Sequence, residues 1–99
     1  MIDRNRLVQS LYAAVDEINK QLSVELQLEK SLETVIIGTD GKLDSLGVTN
    51  LIVATESKAS DDLGITLNLA EIYAVSPDGG PLKTIGSLVD YIISTQENK

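Results

Sequence analysis

Between Arg4 and Leu22 the apolar residues Leu7, Leu11, Val15, Ile18 and Leu22 return at steps of three and four, while Gln9, Asp16, Glu17 and Lys20 fall elsewhere. That spacing is the helical period, so it sets one apolar stripe along a helix, with Asp3 in position to cap its start. A lone stripe has nothing to pack against; the fold is decided by where the chain repeats the pattern. From Ser45 onward Val48, Leu51, Ile52, Thr55 and Ala59 form a second stripe, with Leu46, Asn50 and Val53 turned towards another face. This predicts a helix of roughly four turns, ended at Asp61-Asp62-Leu63-Gly64-Ile65. Asn68 is placed to cap a short third helix carrying Leu69, Ile72 and Tyr73, and Thr84 a last one carrying Ile85, Leu88, Val89, Ile92 and Ile93, with Ser94 to Lys99 fraying. The remainder reads as connection. Val24 to Leu28 alternates with period two but has no partner run, so it is expected to be extended. Ser31 to Ile37 is expected to form a helical turn or two, and Gly38-Thr39-Asp40-Gly41 and Ser76-Pro77-Asp78-Gly79-Gly80-Pro81 to be turns. The expectation is an all-α fold, a bundle of three main helices and one short helix with a long first connection. With 99 residues, 42% of them hydrophobic, the chain supports one modest core and one domain over 1–99.

Composition then narrows function. Cysteine and histidine are both absent, which removes disulfides, thiolate metal sites and thiol nucleophiles, together with the usual acid–base side chain near neutral pH. An enzyme is disfavoured. Fifteen acidic residues against eight basic ones leave a net charge of −7, a sign that repels nucleic acid and anionic membranes and favours basic partner surfaces. No apolar run is long enough to span a bilayer, and no signal-like stretch follows Met1 to Arg6. A cytoplasmic monomer without membrane insertion is expected.

The segment that speaks to chemistry is Gly41-Lys42-Leu43-Asp44-Ser45-Leu46-Gly47, a glycine-containing turn that delivers a serine to a helix start. Backbone N–H groups and the positive end of the helix dipole favour a phosphate attached to a hydroxyl there. Asp44 adds a negative charge that argues against a bare anion site. Serine and aspartate are also ordinary helix caps, so the tripeptide alone leaves both readings open. Other patterns fail on spacing. Gly38 to Leu43 lacks the glycine and hydroxyl positions of a phosphate-binding loop, Asp40 to Asp44 lacks the alternating oxygens of a calcium loop, and no Ser-x-x-Lys occurs. Asp61-Asp62 reads as solvated charge.

Asp44-Ser45-Leu46 opening a helix after a long connection resembles the attachment motif of acyl carrier proteins. The resemblance continues through Leu51-Ile52-Val53-Ala54 to Lys83-Thr84-Ile85-Gly86-Ser87-Leu88-Val89-Asp90-Tyr91-Ile92, covering most of the chain. It implies the family's four-helix bundle and a 4′-phosphopantetheine arm on Ser45, flanked by Asp44 and Leu46. The arm would be donated by coenzyme A through a phosphopantetheinyl transferase, and acyl groups would ride on it as thioesters. It further implies that acyl-loading and acyl-transferring enzymes with basic docking surfaces meet Leu46, Val53 and Glu56. Two departures bear on this. Gly47 and Asn50 stand where the housekeeping pattern of fatty-acid synthesis has carboxylates, and Glu56 is the first acid within the helix, with Lys58 close behind. Either partners are dedicated, or contacts have moved to Asp40, Asp44, Asp61 and Asp62. The stretch from Asp61 to Pro81 is long and resembles specialised carriers of dedicated lipid, secondary-metabolite or cell-envelope pathways. An unmodified interaction module of the same fold and a peptidyl or aminoacyl carrier are the alternatives. The small residues Thr55 and Ala59 leave either a cleft for part of an acyl chain or a space filled by Ile65, Leu67 or Tyr73.

Overall fold

The computed structural model describes residues 3–37, 43–75 and 80–97. They form four α-helices: α1 (Arg4–Asn19), α2 (Ser45–Leu63), α3 (Leu69–Val75) and α4 (Ile85–Glu97), with single 3₁₀ turns at Val24–Leu26 and Gly80–Leu82. Among the described residues there is no strand, only an isolated antiparallel bridge between Val35 and Thr84. The turn expected at Gly38 to Gly41, Asp40 within it and most of the loop from Ser76 lie outside the described residues. No helix among those described is long and apolar enough to cross a membrane.

In α1 the Asp3 side chain accepts from the Asn5 and Arg6 N–H groups, and Leu7, Leu11, Ala14, Val15 and Ile18 are buried along one stripe. After Asn19 the α-helix tightens into i→i+3 bonds, Gln21 N to Ile18 O (2.9 Å) and Leu22 N to Asn19 O (3.2 Å), and Asn19 also ties down the chain beyond. Its Nδ2 donates to Leu28 O (2.9 Å) and its Oδ1 accepts from Leu28 N (2.8 Å), a two-way amide clamp on the following chain. Clamped there, Val24 to Leu26 coils into a 3₁₀ turn instead of the extended run that its alternation suggested.

α2 buries the expected stripe of Val48, Leu51, Ile52, Thr55 and Ala59 against α1, its most extensive neighbour. Its end is tied down from α1. Arg6 Nη2 donates to Asp62 O (2.6 Å), and the buried Ser10 hydroxyl donates to the Asp62 carboxylate (2.8 Å). Asp61 and Asp62 are exposed, as expected of solvated charge, and Asp62 also ties the two helices together. The helix then stops at Gly64, in the left-handed region at φ 67.

Ser31 to Ile37 makes a single turn, Thr34 N donating to Ser31 O at 3.2 Å, and goes no further as a helix, for a reason that lies far along the chain. Its carbonyls serve the start of α4: Thr34 O accepts from Ile85 N (3.1 Å) and Leu32 O from Gly86 N (2.8 Å), while Ile36 N donates to Lys83 O (2.6 Å). A Cβ at Gly86 would sit 2.9 Å from Leu32 O, so this strap requires the glycine. Thr84 and Ser87 complete the helix start by exchanging side-chain-to-backbone bonds, each 3.0 Å, and the Ser87 hydroxyl donates to Pro81 O. At its other end α4 does not fray at Ser94 but runs through Glu97, its last turns forming a cleft with α3 through Tyr91, Thr95 and Gln96.

These elements share one hydrophobic cluster, from Leu7 on α1 to Ile92 on α4. Ile65, Leu67 and Tyr73 all pack against it. Thr55 is 2% exposed, and among the described residues its hydroxyl meets no hydrogen-bond partner. A polar atom so placed stabilises nothing and must be carried by the packing around it.

Candidate functional site

The start of α2 is set by the two residues on either side of Ser45. Asp44 is extended (φ −84, ψ −176), its carboxylate accepts from Gly47 N at 2.8 Å and its carbonyl from Val48 N at 2.9 Å. One of the orphan amides of the first turn is thereby satisfied, and Ser45 becomes the first helical residue. Gly47 has its own packing reason. A Cβ there would lie 3.1 Å from Leu43 Cδ2 and 3.3 Å from Asp44 Oδ1, so the bare backbone lets Leu43 and the capping carboxylate close over the turn.

Leu46 is 68% exposed and Val53 58%. Seven residues apart, close to two helical turns, they stand on one side of α2 beyond the capped entrance. Glu56 is placed differently. Half-buried, its Oε2 accepts from the Leu69 N–H at 2.9 Å and closes the first turn of α3. Asp44, Ser45, Leu46 and Val53 thus share one region of α2, whereas the Glu56 carboxylate is committed to a neighbouring helix.

Two features lay beyond the reach of periodicity. Beside Val53, α1 and α2 part to leave an open groove of ≈ 440 Å³, to which α1 contributes Glu17 and Ile18, the chain just after it Gln21, and α2 Lys58 among others. Nothing in the spacing of α1 announces a groove, because Ile18 is equally a core residue. The second is the Glu56 contact, which joins residues in different helices through a backbone amide that no side-chain pattern can betray.

The electrostatics are uneven. From Ser45 to Thr55 the helix has no charged side chain, although the chain carries −7. Beyond that stretch Lys58 Nζ faces Glu17 Oε1 at 3.9 Å, and Glu17 also faces Lys20 at 3.8 Å. Among the described residues no group of three acids is arranged to hold a metal ion. The arrangement can therefore offer a serine at a capped helix start, next to exposed aliphatic surface. Comparisons with protein-family models, with curated proteins and with solved structures give no match, so the chemistry of this site is read from the chain's own residues.

Proposed function

We propose that the chain is a carrier protein of the acyl carrier type, bearing 4′-phosphopantetheine on Ser45 and presenting the attached acyl group to partner enzymes of a dedicated pathway. The observation that carries this reading is the position of Asp44-Ser45-Leu46: aspartate as the cap, serine as the first residue of α2, leucine exposed beside it. The all-helical bundle with its long first connection agrees with the same reading.

The residues fit such a group. A phosphodiester on the first residue of a helix lies at the positive end of the dipole, where negative charge is favoured by about 0.3–1 kcal/mol. Asp44 directs its carboxylate back to Gly47 N, fixing the helix start while holding its own charge on the cap. Leu46 offers aliphatic surface to the arm next to its attachment. When bound, phosphopantetheine supplies a terminal thiol able to hold an acyl group as a thioester, a function that a chain without cysteine cannot supply itself. The protein's part is to hold the attachment serine at a defined place and to offer a surface for docking. No catalytic residue is assigned to it.

Incubation with coenzyme A and a phosphopantetheinyl transferase, read by intact mass, tests the proposal. The chain gains one phosphopantetheine, and Ser45→Ala abolishes the gain while leaving the helical circular dichroism unchanged. An unaltered mass in the folded wild-type chain overturns the carrier reading and leaves an unmodified interaction module in its place.

A further inference from the structure

We infer that the cleft between α3 and the last turns of α4 binds a small organic ammonium ion, a protonated amine carried on a short apolar body. No residue of α2 lines the cleft, so the site is independent of the carrier reading.

The cleft exists because of how α3 is held. That short helix leans on α2 and on the turn at Gly80–Leu82 rather than on α4, and Glu56 fixes its start by accepting from Leu69 N at 2.9 Å. Between α3 and α4 a volume of ≈ 300 Å³ is left, at the lower end of the range of about 300–1,000 Å³ usual for small-molecule sites. Leu67, Ile72 and the half-buried Tyr91 give it apolar walls.

Three polar side chains that line it are not spent on the fold. Asn68 stands where a cap for α3 would stand, yet neither it nor Glu71 nor Gln96 makes a side-chain hydrogen bond or ion pair among the described residues. The Thr95 hydroxyl, by contrast, already donates to Ile92 O at 2.8 Å. Of the nine residues lining the cleft, Glu71 alone carries a formal charge, and no lysine or arginine stands among them.

That combination selects a cation. An ammonium group donates to the Glu71 carboxylate and to the amide oxygens of Asn68 and Gln96, and an aromatic ring such as Tyr91 attracts it further. The carboxyl end of α4 adds carbonyls without helical partners and the negative end of a dipole. The amino end of α3 opposes a cation, but Glu71 lies in that first turn and answers it. An anion would meet Glu71 with no base to offset it, and a wholly apolar ligand would cover the carboxylate without giving it a partner. The apolar walls call for a body of carbon on the amine, since a bare ammonium ion would leave them wet.

The test is titration of the isotope-labelled full chain with phenethylamine and, separately, with its uncharged counterpart 2-phenylethanol, read by amide chemical shifts. Sodium chloride at about 150 mM shortens the Debye length to about 8 Å and screens diffuse attraction to the acidic chain. Phenethylamine is expected to saturate shifts over residues 66–72 and 91–96, with a dissociation constant on the order of 1 mM. The alcohol should bind about tenfold more weakly, and Glu71→Gln should weaken the amine about tenfold while leaving the alcohol unchanged, as the loss of one charge-assisted contact requires. Position 71 is exposed, and circular dichroism verifies that the variant folds. Equal affinity of the wild-type chain for amine and alcohol overturns the inference in favour of a plain apolar cleft. Saturation that Glu71→Gln leaves unchanged places the amine elsewhere and overturns it as well. Shifts that spread over the acidic surface without saturating, or no shift up to about 20 mM amine, likewise overturn it. Each of these results leaves phosphopantetheine transfer to Ser45 untouched, so the two readings fail separately.

Discussion

Two helices of this bundle have a hydroxyl residue at their entrance, Ser45 as the first residue of α2 and Thr84 just before α4, in opposite circumstances. At α4, Thr84 and Ser87 exchange bonds, Ile85 and Gly86 donate to carbonyls of the first connection, and the Ser87 hydroxyl reaches Pro81 O. Every polar group named there is spent on holding the fold. At α2 the Asp44 carboxylate accepts from Gly47 N, and Leu46 is left exposed. The same physics, satisfying amides that a helix leaves over, yields a joint to distant chain in one case and a local cap beside an exposed leucine in the other. What marks the α4 start is that Leu32 and Thr34, far back along the chain, bond to its first turn.

The comparison breaks most visibly at the two serines. With coenzyme A and a transferase, Ser45→Ala should lose the mass gain entirely, whereas Ser87→Ala should keep it. If Ser87→Ala abolishes the gain in a folded protein, the assignment of roles is reversed. A second test asks how structural the α4 joint is. Gly86→Ala places a Cβ 2.9 Å from Leu32 O, so the strap must shift, and urea unfolding should show a loss of about 2 kcal/mol despite alanine's better helix propensity. An unchanged midpoint would mean that the connection adapts freely. The smallest effect belongs to α2. Asp44→Ala removes one cap and should cost about 1 kcal/mol; a loss as large as that of Gly86→Ala would show that the α2 start is a joint of the same kind.

How much of this was legible beforehand follows from where each hydrogen bond closes. α2 could be placed from Ser45 to an end within Asp61 to Ile65 because its stripe and its stop are local, and Asp3 announced α1 for the same reason. Ser31 to Ile37 forms only the turn from Ser31 to Thr34 because carbonyls of this stretch bond to residues 85 and 86, and no window of sequence contains both sides of that pairing. Val24 to Leu26 was misread because the clamp from Asn19 to Leu28, not side-chain alternation, sets its path. The site divides in the same way. Asp44 as a cap beside Ser45 and the exposure of Leu46 and Val53 follow from position on one helix. The engagement of Glu56 with Leu69 and the groove beside Val53 depend on how helices meet, which periodicity leaves open.

The strap between the first connection and α4 also bears on the order in which the molecule assembles. The Thr84–Ser87 box can form as soon as those few residues exist, because closing so short a loop costs little entropy. The bonds from Ile85 and Gly86 to Thr34 and Leu32 must wait until a loop spanning α2 and α3 has closed. Nascent chain emerging N-terminus first would therefore leave the Leu32 and Thr34 carbonyls without these partners until residues 85 and 86 had been made, and α4 is the helix that locks the first connection into its path.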